Sequence, residues 1–177
     1  MRYLFFFFFL FSINGQEFDR REWRVWKNFR GCLSVREKIL IDYSIIPVKM
    51  DANNCNIISG EWKSIWENKT YYLPREIDID HTVPLAWAWR HGANTWLQIQ
   101  KENYANNFRE KYYLLPLSAS ANRAKGDRGP DEWLPEINRC FYIITFQNIV
   151  KQNKLILSEI EKNKYEQIKK RECDETL

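Results

Sequence analysis

The chain reads as an α+β domain with little sheet. Three observations predict this. Two short stretches, near 76–80 and 112–117, have the length and apolar patterning of strands. Serine-led capping signals at Ser34, Ser118 and Ser158 open helices. The resulting order is helix, then strand, loop, strand and helix, then more helix, which gives too few strands for a large sheet. The 177 residues suffice for one domain with a sizeable core, and 45% hydrophobic with 28% charged residues excludes a disordered chain. Aromatic residues reach 16%, with eight Trp, so most of the rings must be buried.

Met1 to Phe11 (MRYLFFFFFLF) place one cation before an apolar run of about ten residues, half of what a bilayer crossing needs. This pattern predicts a secretory signal peptide over 1–15 and a secreted protein, extracellular or periplasmic, with no stable membrane association once the signal is cleaved. The alternative is an uncleaved anchor. A single domain then covers 16–177. Residues 17–31 form a charged and aromatic lead-in. The capping box Ser34-Val35-Arg36-Glu37 predicts a helix of about ten residues ending before Pro47. Residues 47–75 read as irregular.

Glu76 to Asp80 alternates polar and apolar residues, a strand signature. Pro84 suits the first turn of a helix through Trp89 that Gly92 stops, and Asn94 or Thr95 caps another that reaches about Asn107. Tyr112 to Leu117 is the second strand. Ser118 or Ser120 caps a short helix bearing Asn122 and Lys125, which share a face at a spacing of three. Residues 136–152 read as a helix, although the apolar run Phe141 to Phe146 also fits a buried strand. Ser158 and Glu161 box the start of a last amphipathic helix.

The net charge is +4, and +3 once Arg2 leaves with the signal. This is compatible with a polyanionic partner without establishing one. Cys32, Cys55, Cys140 and Cys173 in an exported chain suggest two disulfides. Of three possible pairings we favour Cys32–Cys55 and Cys140–Cys173, which join sequence neighbours. Without a C-x-x-C spacing, and with two His, a Cys/His zinc site is not expected. Asn68-Lys69-Thr70 is a glycosylation sequon.

Two clusters bear chemistry. Asp80-His81 closes the first strand, with Asp78 two residues back. A carboxylate can hold a hard cation, and an imidazole can take a proton from water. Alone, the dipeptide reads equally as a surface turn. Asn122-Arg123-Ala124-Lys125-Gly126-Asp127-Arg128 combines an amide oxygen with several cations. Alone, it reads as a solvated charged turn. His91 reads as a turn or surface histidine, and Trp87, Trp89 and Trp96 as core rather than base-stacking residues.

Together the clusters reproduce the order strand, Asp-His, loop, strand, helix, Asn. The stretches DIDHTVPLAWAWRHGANTW, YANN and LLPLSASANRAKGDRGPDEWLP resemble the secreted HNH endonuclease family related to the C-terminal domain of the GmrSD restriction enzyme. The resemblance extends more weakly over most of 20–173. It implies a ββα-metal (HNH, His-Me finger) core at about 76–128, embedded in further helices and stapled by disulfides. It also implies a metal-dependent endonuclease acting on DNA with little sequence specificity. Asp80 and Asn122 would hold a divalent metal, Mg²⁺ or Mn²⁺, and His81 would be the general base. Lys125 would contact the scissile phosphate, with Arg123 and Arg128 on the nucleic-acid backbone and Asp78 supporting the metal site or orienting His81. The alternative is a catalytically inactive secreted nucleic-acid-binding or interaction protein on the same scaffold. One position departs from the family pattern. The middle asparagine, which braces the loop carrying the base, is Tyr113 here, so Asn106, Asn107 or a backbone group must brace that loop.

Overall fold

A computed structural model describes residues 17–174. The segment 1–15, expected from the sequence to be a signal peptide, lies outside the described residues. The chain opens with a 3-10 turn at Arg20–Trp23, capped by the Asp19 side chain on the Arg21 amide. A short hairpin follows, β1 (Asn28–Arg30) with β2 (Leu33–Ser34), and leads directly into α1 (Val35–Tyr43). The capping box forms as the sequence predicts, with Ser34 on the Arg36 amide and Glu37 on the Ser34 amide. Residues 47–75, expected to be irregular, contain two small ladders. Strand β3 (Lys49–Met50) pairs with β4 (Ile57–Ser59), and β5 (Trp62–Lys63) with β6 (Thr70–Tyr71). Strands of two or three residues carry too little periodicity to be read from sequence.

The central unit is a two-stranded antiparallel sheet. Strand β7 (Ile77–His81) pairs with β8 (Leu114–Ser118) in the register Asp78–Leu117, Asp80–Leu115 and His81–Leu114. Between them lie α2 (Leu85–Arg90), a 3-10 turn at Ala93–Thr95 and α3 (Gln98–Ala105). Helix α3 begins later than expected and takes no cap from Asn94 or Thr95. The Gln100 side chain accepts from the Leu97 amide, and the Thr95 hydroxyl turns back to the Gly92 carbonyl. Helix α4 (Ala119–Lys125) starts at Ser118, whose hydroxyl caps the Ala121 amide. The apolar run 141–146 belongs to α5 (Arg139–Gln152), and α6 (Glu159–Asp174) follows the Ser158/Glu161 box.

One aromatic-rich core joins these elements. Trp23, Trp62, Trp66, Tyr142, Phe146 and Tyr165 are all fully or almost fully buried. The Trp62 indole N–H donates to the Leu40 carbonyl at 2.7 Å, fixing β5 against α1. Disulfides Cys32–Cys55 and Cys140–Cys173 form as favoured, one joining the first hairpin to the 51–56 turn and the other closing α5 on α6. The protein is thus mixed α+β, with small sheets and two disulfides.

Candidate functional site

The site sits at the end of β7, where the pleat sends neighbouring side chains to opposite faces. Asp80 points toward α4. There the Lys125 ammonium donates to both carboxylate oxygens and to the His81 carbonyl, each at 2.7 Å. Lys125 is 0% and Asp80 4% exposed. Burial pushes the Asp80 carboxyl up and the Lys125 ammonium down, and their mutual attraction opposes both shifts. Three acceptors around three N–H groups is the geometry of a charged pair.

His81 points toward α3. Its Nε2 lies 2.9 Å from the Ala105 carbonyl. A carbonyl only accepts, so Nε2 carries the proton and Nδ1 keeps the free lone pair. Burial brings the imidazole down to about 3, assisted by the fields of Arg20 and Lys125 and opposed by the Ala105 bond, so the ring is neutral at ordinary pH. Trp26 packs at 5.6 Å from the imidazole, tilted by 33°. Its backbone is left-handed, with φ 59°, a costly conformation for a bulky residue that the surroundings must enforce. Asn106 supplies that enforcement. Its side chain accepts from the Lys27 amide and donates to the Arg24 carbonyl, tying the segment on either side of Trp26 to α3.

Asp80, His81 and Asn122 border one cavity of about 70 Å³, together with Arg20, Pro84 and Gly126. Asn122 donates to the Asp78 carboxylate at 3.1 Å. Lys125 lies behind this cavity rather than in it. The sequence expectation of Lys125 on a phosphate therefore meets a different arrangement, in which its ammonium is engaged with Asp80. Arg123 and Arg128 are exposed on α4 and just beyond it, and Arg128 donates to the Ala124 carbonyl. Asp127, also exposed, pairs with Arg90.

Tyr113 stands at the position where the resemblance implies an asparagine, and its side chain turns away to Gln152 and Asn153. The loop after His81 is braced by backbone groups instead. The Thr82 amide donates to the Tyr113 carbonyl, the Thr82 hydroxyl to the Tyr112 carbonyl, and the Tyr104 hydroxyl to the Val83 carbonyl. Asn106 acts one step removed, from the residue beside Ala105.

Sequence reasoning missed Arg20, Trp26 and Glu67. Arg20 and Trp26 lie in the charged lead-in, where nothing distinguishes them from their neighbours. Buried Glu67 accepts from the amide and hydroxyl of Ser118, so it fixes the junction of β8 and α4. No local pattern announces such a long-range contact. His91 lies in the turn that ends α2, as expected, but it is half-buried there, stacks on Trp87 at 3.5 Å and bonds Glu161 at 2.7 Å.

Among the described residues no three His, Cys, Asp or Glu side chains cluster, so a cation here would rest on fewer carboxylates and on other oxygens. The available donors are oxygens. Each Asp80 oxygen accepts one bond from Lys125 and retains a second lone pair, and Asn122 Oδ1 remains beside its engaged amide nitrogen. This set suits a hard divalent cation rather than zinc.

An uncharacterized secreted protein of Arthroderma benhamiae is 32% identical to this chain over 120 residues. The match covers 68% of this chain and 57% of that protein, so the chain spans little more than half of its relative's length. No protein-family profile matches the chain, and no solved structure matches it. Like that relative, this protein is secreted. Among the described residues no helix is long and apolar enough to cross a membrane.

Proposed function

We propose that the protein is a secreted endonuclease of the HNH type, hydrolysing phosphodiester bonds of DNA with little sequence preference. One observation carries the reading. A buried neutral histidine, oriented through Nε2 by a backbone carbonyl, shares a small cavity with an aspartate and an asparagine on a strand–strand–helix unit. A hydrogen bond that fixes the tautomer is what a general base needs, because it decides which nitrogen receives the proton.

In this reading His81 Nδ1 removes a proton from a water in the cavity. The water oxygen bonds to phosphorus as the P–O3′ bond breaks. The departing 3′ oxygen takes a proton from solvent, leaving a 3′ hydroxyl and a 5′ phosphate. Asp80 and Asn122 are the residues that would hold a divalent cation, Mg²⁺ or Mn²⁺. Bound there, the cation would supply Lewis-acid stabilisation of charge on the phosphate. Lys125 positions the Asp80 carboxylate, and the Ala105 carbonyl with Trp26 positions the imidazole. Arg123 and Arg128, both exposed, would make non-specific contacts to the nucleic-acid backbone. The sequence of the described residues carries no motif of a groove-reading helix, so weak sequence preference is expected.

A second reading has one observation in its favour. The Asp80–Lys125 pair is complete without a cation, which suits a binding protein that has lost catalysis. The test is plasmid cleavage by the mature chain in Mg²⁺ and in Mn²⁺, with EDTA and His81→Ala as controls. Nicking abolished by both controls is expected. Intact plasmid, single-stranded DNA and RNA across both metals would sink the enzyme and leave the binding protein.

A further inference from the structure

The cations around the cavity differ in what they are free to do. Lys125 has its three protons engaged and no solvent contact. Arg90 is held by Asp127 through both its carboxylate and its carbonyl, at 2.5 and 2.8 Å. Arg128 donates to Ala124, and Arg123 does not line the cavity. Arg21, next to Arg20 on the same turn, is clamped on Asp19 at 2.7 Å.

Arg20 alone among these lines the cavity beside Asp80, His81 and Asn122 with an exposed side chain. Among the described residues no hydrogen bond or ion pair occupies its guanidinium. Its mounting is nonetheless rigid. Asp19 caps its turn, and Trp23 at the other end is fully buried. Between them, Glu22 pairs with Lys101, and the Gln98 amide donates to the Glu22 carbonyl. The turn is thereby fastened to α3, the helix whose last carbonyl orients His81. Asp78 and Arg20 are near enough for their charges to interact. Two carboxylates and two cations therefore leave the site close to neutral, and a phosphodiester entering it adds one negative charge.

We propose that Arg20 is the residue of this site that grips the substrate phosphate, its planar fork donating two N–H bonds to the non-bridging oxygens of a phosphodiester in the cavity. The proposal rests on the nuclease reading and adds the contact that buried Lys125 does not offer. It also makes the segment 19–27, which supplies both Arg20 and Trp26, part of the functional domain.

Binding tests it separately from cleavage. A fluorescein-labelled DNA oligonucleotide is titrated by anisotropy with the His81→Ala protein, alone and combined with Arg20→Gln, Arg20→Lys or Arg21→Gln, over a series of KCl concentrations. Arg20→Gln is expected to weaken binding about tenfold for every sequence, and to reduce the slope of log K against log salt by about one. Arg20→Lys should restore the slope but only part of the affinity, and Arg21→Gln should change neither. Equal melting temperatures will show that the fold is intact. If Arg20→Gln binds with the affinity and slope of its parent while the wild type cleaves plasmid, Arg20 is not the phosphate contact and the nuclease reading stands. If wild type neither binds nor cleaves, both fall together.

Discussion

At Asp80 and Lys125 the chemistry of the site and the stability of the fold meet in one pair of side chains. Removing both charges from water is costly, and the pair persists because all three ammonium protons and both carboxylate oxygens are used. Losing one partner leaves the other charge buried and uncompensated. Lys125→Ala is therefore expected to destabilise the protein by about 3–5 kcal/mol, a fall in Tm on the order of 10 °C. Combining it with Asp80→Asn removes the stranded charge and should recover part of that loss. Thermal melts of the three proteins in EDTA check this. If Lys125→Ala melts within a degree or two of wild type, the pair is not the structural lock described here. The residues at this scale were unevenly legible in the sequence. Asp80 with His81, and Asn122, stand in two dense local motifs, and the fold brings them to one cavity. Arg20 reaches the same cavity from sixty residues away, and the Ala105 carbonyl has no side-chain signature at all. Backbone acceptors and distant rim residues belong to tertiary structure, which a local motif does not encode.

At the scale of elements, the helices with side-chain caps were the easiest to read. Ser34/Glu37 and Ser158/Glu161 each satisfy amides that would otherwise be unpaired, so the local sequence fixes the start of the helix. Helix α3 was harder, because no Ser, Thr, Asp or Asn side chain caps its start and Gln100 takes only the amide of Leu97, the residue before it. The Phe141 to Phe146 run was ambiguous because its solvent-facing positions, Phe141 and Ile144, are also apolar, which erases the polar face that carries the 3.6-residue signal. Glu161 shows how a cap also becomes a tertiary latch. It accepts from Ser158 and lies 2.7 Å from His91 Nε2, joining α6 to α2. Burial acts to raise its carboxyl, but the bonds from Ser158 and His91 outweigh it and hold the group at about 2, below its ordinary 4.5. The folded protein thus binds this proton more weakly than the unfolded chain. The contribution of Glu161 is complete above about pH 4.5 and is lost as pH falls toward 2. Because the carboxylate keeps some solvent contact, that contribution is on the order of 1 kcal/mol. The Tm difference between wild type and Glu161→Gln should therefore be steady from pH 7 to 5 and shrink as pH falls to 3. A difference constant down to pH 3 would remove the latch from the account.

At the scale of the whole molecule, the two disulfides anchor the covalently remote ends while the site lies between them. They close segments separated by 23 and 33 residues, each of which constrains the unfolded chain by about 3–4 kcal/mol in the chain-entropy description. Their consequences for the site differ. Cys32–Cys55 ties the β1–β2 hairpin to the 51–56 turn, at the exposed end that leads into α1. Cys140–Cys173 holds α6 on α5, and α6 brings Tyr165 into the core against Phe146, which in turn packs on Trp87 of α2. Gly129 makes the same junction tight, since a Cβ there would lie 2.3 Å from the Tyr165 hydroxyl and 2.9 Å from the Trp87 indole nitrogen. Helix α2 follows directly on the loop after His81, so loosening α6 removes support from beneath the cavity, whereas the hairpin reaches the site through the 24–27 segment, which Asn106 separately ties to α3. Replacing Cys140 and Cys173 together by Ala is accordingly expected to lower Tm by about 10 °C and to reduce plasmid nicking well below the melting range. Replacing Cys32 and Cys55 should lower Tm comparably while leaving nicking at 25 °C near wild type. Melting curves and nicking rates for the two double variants decide the matter. Equal loss of nicking in both would mean that the domain responds as one cooperative unit, with no special support of the site by α6.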